Sequence, residues 1–294
     1  MEILDGKLLS KKIKEEIKLE VDGFLANGER APHLVAVLVG DDPASKFYVK
    51  SKMKSCKQVG FKSTNMVVDK SITQVELLNI IDGLNKNQGV DGYIVQLPLP
   101  AHLDVDTVLE AISPDKDVDG FHPVNMGRLI LGLDTFIPAT PLGILEILKR
   151  YNIPTEGKDV VIVGRSNIVG KPMSICLSQK GYPGNSTVTI VHSRTENIED
   201  KLKQADIIIA AIGKPQFVKE HMVKEGAVVI DVGINRVEDS SKKSGYSLVG
   251  DVDFINVAPK CSYITPVPGG VGLMTVTALM INTLKSYKKR YGFE

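Results

Sequence analysis

The sequence has no tryptophan, and phenylalanine and tyrosine bring its aromatic content to only 5%. A surface that stacks nucleic-acid bases needs such rings, so this composition argues against one. Neither sign of charge is in excess: 36 Lys and Arg stand against 35 Asp and Glu, a formal net charge of +1. The basic surplus of a nucleic-acid binder is missing. Cysteine is scarce too. Cys56, Cys176 and Cys261 are far apart and form no CxxC pair, so reduced thiols in a cytoplasmic setting are expected, not a disulfide frame or a zinc site. No run reaches the roughly 18–20 apolar residues of a membrane helix. The opening MEILDGKLLSKKIKEE lacks the apolar core of a secretory signal. Neither a membrane nor a nucleic acid is expected as a partner. His33, His102, His122, His192 and His221 show no metal-ligand spacing and are read as structural or surface residues.

What is present is the composition of a soluble globular protein: 294 residues, 43% hydrophobic and 24% charged. That length suggests about two domains. Leu9, Ile13, Ile17, Val21 and Phe24 recur every three or four residues and predict an amphipathic helix over 7–27. LVAVLVG (34–40) follows as a buried strand, bounded by Pro32 and Pro43. A helix from Pro43 to Val59, a strand over 61–68, a helix over 73–86 and the strand GYIVQL (92–97) continue the alternation. Such alternation implies a parallel sheet covered on both faces. The proline-rich stretch 98–142 predicts short helices, part of it a wall of a cleft and part a crossing to a second domain through a helix over 141–151. Strands then recur at 159–164, 187–192, 205–213 and 227–233, and a last helix covers 273–290. Its closing Lys288, Lys289 and Arg290 suit a helix C-terminus.

In the second half, DVVIVGRSNIVGKP runs a strand into Gly164 and opens a helix after Gly170. Strand, glycine turn and helix start together present backbone N–H groups to a pyrophosphate. The spacing is GxxxxxG and not GxGxxG, so the strand context carries the reading. The next strand, TVTIVH, ends in Ser193-Arg194-Thr195, where an NAD site usually has a carboxylate. With Arg165 in the glycine turn, these donors favour the 2′-phosphate of NADP.

In the first half, Tyr48 and Lys52 stand four residues apart on one helix face. Desolvation disfavours an ammonium, so a lysine held partly out of water can exchange protons near neutral pH. Gln96 ends the strand GYIVQL, where open α/β sheets bind ligands. Asp115, Asp117, Asp119 and Gly120 open like a calcium loop, but Met126 stands where the bidentate Glu belongs. One of these aspartates is better read as a ligand-binding carboxylate, and no metal is expected. TPVPGGVG (265–272) is a loop that lets backbone approach a ligand.

Nine ordered blocks resemble one family, the bifunctional methylenetetrahydrofolate dehydrogenase/methenyltetrahydrofolate cyclohydrolases. They are YVKSKMKSCKQVGF, DGYIVQLPLP, PDKDVDGFHPVNMGRL, PATPLGI, VVIVGRSNIVGKPMS, VHSRT, DVGIN, GDVDF and TPVPGGVGLMTV, and they span nearly the whole chain. The resemblance implies two α/β domains with a cleft between them. The folate-binding catalytic domain would take 1–140 plus 274–294, and a Rossmann-like NADP domain 141–273. It implies a cytoplasmic homodimer acting on tetrahydrofolate derivatives. Lys52 would be the catalytic lysine, Tyr48 would stack on the folate ring, Gln96 would tune the lysine, and Asp119 would hold the pterin. Val95 and Leu97, through their backbone, and the loop Pro268, Gly269, Gly270, Val271 and Gly272 would complete the folate site. Gly164, Arg165, Ser166, Ser193 and Arg194 would bind NADP, with Ile234 and Thr275 near it. The family commonly has Pro where this chain has Leu273, which bears on loop stiffness. Two other readings remain: a relative with only the dehydrogenase step, and a noncatalytic NADP-binding sensor. The polar set of the first half argues against both.

Overall fold

Runs of β-branched residues hidden from water mark the centres of two parallel sheets. The computed structural model describes residues 1–242 and 245–293. A two-residue strand β1 (Glu2–Ile3) precedes helix α1 (Gly6–Ala26). The chain then alternates through β2 (His33–Val39), α2 (Pro43–Gln58), β3 (Lys62–Val68), α3 (Gln74–Lys86) and β4 (Gly92–Val95). Helices α4 (Val105–Ala111), α5 (Pro123–Ile130) and α6 (Ala139–Arg150) follow. The alternation resumes with β5 (Asp159–Val163), α7 (Gly170–Ser178), β6 (Thr187–Val191), α8 (Ile198–Gln204), β7 (Ile207–Ala210) and β8 (Val228–Asp231). An antiparallel pair, β9 (Asn235–Glu238) and β10 (Tyr246–Val249), comes next. Helix α9 (Phe254–Val257), strand β11 (Tyr263–Ile264) and helix α10 (Val271–Tyr291) complete the order.

The residues divide into two compact units. The first holds Lys11–Ala139 and the last helix from Val276 on; the second holds Met1–Ser10 and Thr140–Thr275. The sequence-based division differs at the start of the chain. Its first ten residues belong with the second unit, because β1 pairs in parallel with β11. Two-residue strands are too short for any periodicity to register.

In the first unit the strand order is β3-β2-β4, all parallel. Every residue of β2 is buried. Val35, Val37 and Val39 pack with Leu77, Ile81 and Leu84 of α3 and with Tyr93 and Val95 of β4. In the second unit the order is β1-β11-β8-β7-β5-β6. Val161, Val163, Ile208, Val229 and Ile264 form its core with Leu202 of α8. Each sheet has a switch point. β2 is flanked by β3 and β4, and β5 by β6 and β7, so the connections from the middle strand leave to opposite sides. Ligands of open α/β sheets bind at the carboxyl ends of strands at such points. No helix among the described residues is long and apolar enough to cross a membrane.

Candidate active site

At the switch point of the first sheet, Lys52 of α2 and Gln96 at the end of β4 meet. Asp42 starts α2 there: its carboxylate accepts the Ser45 amide at 2.7 Å, and Pro43 occupies the first turn. Ser45, Val49 and Cys56 are buried along α2, and Lys52 falls on the same stripe, spaced i, i+4, i+7, i+11. That spacing explains why Lys52 is half-buried while Lys46, Lys50, Lys54 and Lys57 are exposed. The Lys52 Nζ donates to Gln96 Oε1 at 3.1 Å. Gln96 Nε2 in turn donates to the Leu97 carbonyl at 2.7 Å, which fixes the orientation of the amide. The Gln96 amide N–H continues the β4 ladder onto Val37 O at 2.9 Å, so the side chain stands where the strand ends.

The three aspartates of the false calcium loop have separate tasks. Asp115 is exposed and faces Lys289 at 3.7 Å. Asp117 is buried and organises the loop, accepting the amides of Gly120 (3.2 Å) and His122 (2.8 Å) and the Asn125 side chain (2.9 Å). Asp119 is the one whose carboxyl senses Lys52. Burial raises it above the ordinary carboxylate range; the Lys52 ammonium opposes that rise and the Asp117 carboxylate adds to it. Asn282 of α10 supports the same loop by donating to Val118 O (2.8 Å) and Ile137 O (2.9 Å). Tyr48, one turn before Lys52, is 44% exposed and meets Phe47 edge-on at 6.1 Å between ring centroids. It leaves an aromatic face open to solvent. Val95 is buried within β4.

The loop 268–272 lies in the second unit, and its glycines admit the start of α1. A Cβ at Gly6 would collide with the Gly270 carbonyl, and the Lys7 amide donates to Gly269 O at 3.1 Å. The Leu273 amide donates to Gly270 O at 3.3 Å, a bond that a proline in that place could not make.

Also in the second unit, Gly164 ends β5 at φ +126°, a value that L side chains rarely adopt, and a Cβ there would strike the Ala211 carbonyl at the end of β7. Gly170 packs as tightly on the Gly164 carbonyl. The two glycines bring the strand end and the helix start together, which the GxxxxxG spacing left open. Arg165 and Ser166 are exposed in the turn. The Ser166 hydroxyl accepts the amides of Val169 (3.2 Å) and Gly170 (3.4 Å), so it caps α7. Ser193 and Arg194 are exposed after β6. Their turn is shaped by His192, read from sequence only as a structural or surface residue: its N–H donates to Thr195 Oγ1 at 2.9 Å, and its Nδ1 accepts the Arg194 amide at 3.2 Å. No carboxylate stands at this strand end before Glu196. The glycine turn and the cationic strand end fit a phosphorylated dinucleotide. Ile234 is exposed after β8, and Thr275 Oγ1 lies 3.1 Å from Thr140 Oγ1.

Two family profiles match the chain. "Tetrahydrofolate dehydrogenase/cyclohydrolase, catalytic domain" covers residues 4–119, and the NAD(P)-binding domain of the same family covers 138–291. The bifunctional protein FolD of Cytophaga hutchinsonii is 57% identical over 286 residues, 97% of this chain and 99% of that one. Its counterpart from Porphyromonas gingivalis is 57% identical over 289 residues, 98% of each. Among solved structures, the FolD methylenetetrahydrofolate dehydrogenase/cyclohydrolase of Campylobacter jejuni superimposes with a TM-score of 0.93 at 50% identity, covering 99% of both chains. The Trypanosoma brucei enzyme, complexed with NADP and an inhibitor, gives 0.92 at 37% identity, covering 98% of both.

Proposed function

The chain belongs to the tetrahydrofolate dehydrogenase/cyclohydrolase family, and we propose that Lys52, held by Gln96, moves the protons of its one-carbon chemistry. The chain is a bifunctional enzyme of folate metabolism. It oxidises 5,10-methylenetetrahydrofolate to the 5,10-methenyl cation with NADP, then hydrolyses the cation to 10-formyltetrahydrofolate. When bound, NADP accepts the hydride of the methylene carbon.

The observation that carries the assignment is the 3.1 Å bond from Lys52 to Gln96 at the carboxyl end of β4. In the hydrolytic step, water adds to the methenyl carbon and loses a proton. One carbon–nitrogen bond of the bridge then breaks as the hydroxyl of the adduct gives up its proton to solvent and becomes the formyl oxygen, and the departing nitrogen must be protonated. Lys52 can take the first proton as an amine and return it as an ammonium. Gln96 accepts one hydrogen bond from Nζ and is itself fixed on Leu97, so the lysine is aimed by a neutral partner. Asp119 takes the pterin in this reading. When ionised, its two carboxylate oxygens can accept from the amino and ring N–H groups of that heterocycle. The exposed Tyr48 ring supplies the flat wall. Val95 and Leu97 would contribute backbone to the folate site.

Gly164 and Ser166 are assigned to the pyrophosphate turn, and Arg165, exposed in that turn, to the 2′-phosphate. Ser193 and Arg194 are assigned to the 2′-phosphate, and Ile234 and Thr275 to the surroundings of the cofactor. The same reading takes the working form to be a homodimer in the cytoplasm, with no nucleic acid or membrane partner; a near-neutral charge is compatible with that.

The test follows absorbance as the protein meets methylenetetrahydrofolate and NADP, with Lys52→Met alongside. The wild type should form NADPH and clear the methenyl intermediate. The variant should fold normally and hydrolyse methenyltetrahydrofolate about 10²–10⁴-fold more slowly. A wild-type hydrolysis rate in the variant would remove Lys52 from the assignment.

A further inference from the structure

Asp231 and Asp251 are 3% and 0% exposed, and neither belongs to the residues assigned so far. They interlock. Asp231, the last residue of β8, accepts the amides of Gly233 and Asp251 on Oδ1 and that of Val252 on Oδ2, each at 2.9 Å. Asp251 accepts the amides of Ile212 (2.7 Å) and Gly213 (2.8 Å) on Oδ2, and the Asn235 side chain (2.9 Å) on Oδ1. Each carboxylate also needs a glycine opposite it. A Cβ at Gly250 would overlap the Asp231 carboxylate, and one at Gly233 would overlap that of Asp251. The sequences Asp-Val-Gly (231–233) and Gly-Asp-Val (250–252) are thus two halves of one clasp.

The clasp grips the stretch that leaves β7. Its near end, Ile212 and Gly213, is held by the Asp251 carboxylate. Farther along, the amides of Gln216 and Val218 donate to the carbonyls of Gly250 and Asp251, each at 2.9 Å. Gln216, held at the far end, adopts φ +51°, a left-handed conformation that side chains other than glycine's rarely take without support from their surroundings. Two adjacent buried carboxylates are a costly way to tie down a loop. Burial, with the Asp251 charge adding, lifts the Asp231 carboxyl to about 6 despite its three N–H donors.

The position of the loop suggests what the cost serves. Ala211 is the residue whose carbonyl abuts Gly164, at the switch point of the second sheet. β6, with its cationic end, lies on one side of β5, and β7 and β8 lie on the other. A dinucleotide with its phosphate-bearing ribose at β6 has its nicotinamide half on the β7 side. We propose that Asp251, braced by Asp231, is a positioning residue that fixes the backbone of residues 211–213 where the nicotinamide half of NADP binds. Because a trans peptide sets C=O opposite N–H, seizing two consecutive amides fixes the direction of the Ala211 and Ile212 carbonyls. Those carbonyls are acceptors suited to a carboxamide.

The proposal rests on the NADP assignment above, and its test keeps the two apart. Binding of NADP and of adenosine 2′,5′-bisphosphate, which lacks the nicotinamide half, is compared in wild type, Asp251→Ala and Asp251→Asn. Cyclohydrolase turnover of methenyltetrahydrofolate serves as the control for folding, since it needs no NADP. Asp251→Ala should weaken NADP about tenfold or more and lower dehydrogenase kcat by a similar or larger factor. It should leave the bisphosphate within roughly twofold and cyclohydrolase near wild type. Asp251→Asn keeps one oxygen for the two amides and should recover most of the loss. Asn235→Ala removes only the lateral bond and should give a smaller loss confined to the dehydrogenase. Equal weakening of both ligands, a parallel fall of both activities, or a fully active Asp251→Ala would overturn the proposal. A wild type that binds neither ligand would overturn the NADP assignment instead.

Discussion

Asp119 shows how a single side chain can be set against the stability of its own fold. Its folded-state carboxyl titrates above the ordinary value because burial penalises the charge more than Lys52 relieves it. Below about pH 3.9, the usual aspartate value, folded and unfolded states are both protonated and the penalty is absent. As pH rises the unfolded chain ionises first, so the penalty grows and is complete above the raised folded value. Asp119→Asn should therefore be more stable than wild type at pH 7–8, with the gain fading toward pH 4; urea titrations at several pH values measure this. The same variant should bind folate about 10–150-fold more weakly, the worth of one charge-assisted hydrogen bond, and bind NADP unchanged. Equal losses for both ligands would remove Asp119 from the pterin. The pairing of Lys52 with Tyr48 was legible from their i, i+4 spacing in the sequence; the buried stripe of Ser45, Val49 and Cys56 on which Lys52 falls is seen in the structure. Spacing alone did not say which of the three aspartates would sense it; only the resemblance named Asp119. The choice depends on Asp117 being consumed by the amides of Gly120 and His122, contacts that no local pattern announces.

Among the elements, those with strong periodicity were foreseeable: α1, α3, β2, β3, β5 and β6 lie within two residues of their expected bounds. The exceptions are physical. β1 and β11 have two residues each and exist only because they pair with each other and with β8. β9 is mostly exposed, so its pattern carries no buried face to read. The Asp231 carboxylate takes the backbone amide of Asp251, twenty residues on, where sequence shows only aspartate beside glycine. The strand end after β6, by contrast, was readable from composition, since Ser193 and Arg194 stand where a carboxylate would select NAD. Arg165→Ala should cost NADP affinity roughly 10–150-fold and NAD far less. The ratio of kcat/KM for the two cofactors, in wild type and variant, decides it: an unchanged ratio would take Arg165 away from the phosphate. Arg194→Ala should act in the same direction, its loop being held by His192 and Thr195.

At the scale of the molecule, one chain uses the same topological opportunity twice. Each unit has a parallel sheet with one strand, β2 or β5, flanked on its two sides by the next two strands of the chain, and each carries the residues assigned to its ligand in its own part of the chain. Lys52, Gln96 and Asp119 belong to one unit; Gly164, Arg165, Ser193 and the Asp251 clasp belong to the other. If the ligands are divided in this way, their contributions to stability must be separable by mutation. NADP at about 100 times its Kd should stabilise the folded chain by about 2.7 kcal/mol. For a unit of this size that is a rise in Tm of about 5–10 °C. Lys52→Met should keep the whole of this shift, because its lesion lies in the folate unit, while Arg165→Ala at the same NADP concentration should lose most of it. A folate analogue should show the converse, with its shift intact in Arg165→Ala and diminished in Asp119→Asn. Thermal unfolding of the three variants with each ligand makes the comparison within one experiment. Loss of the NADP shift in Lys52→Met would mean that the cofactor depends on the folate unit for its binding, and the division of ligands between the two sheets would fail.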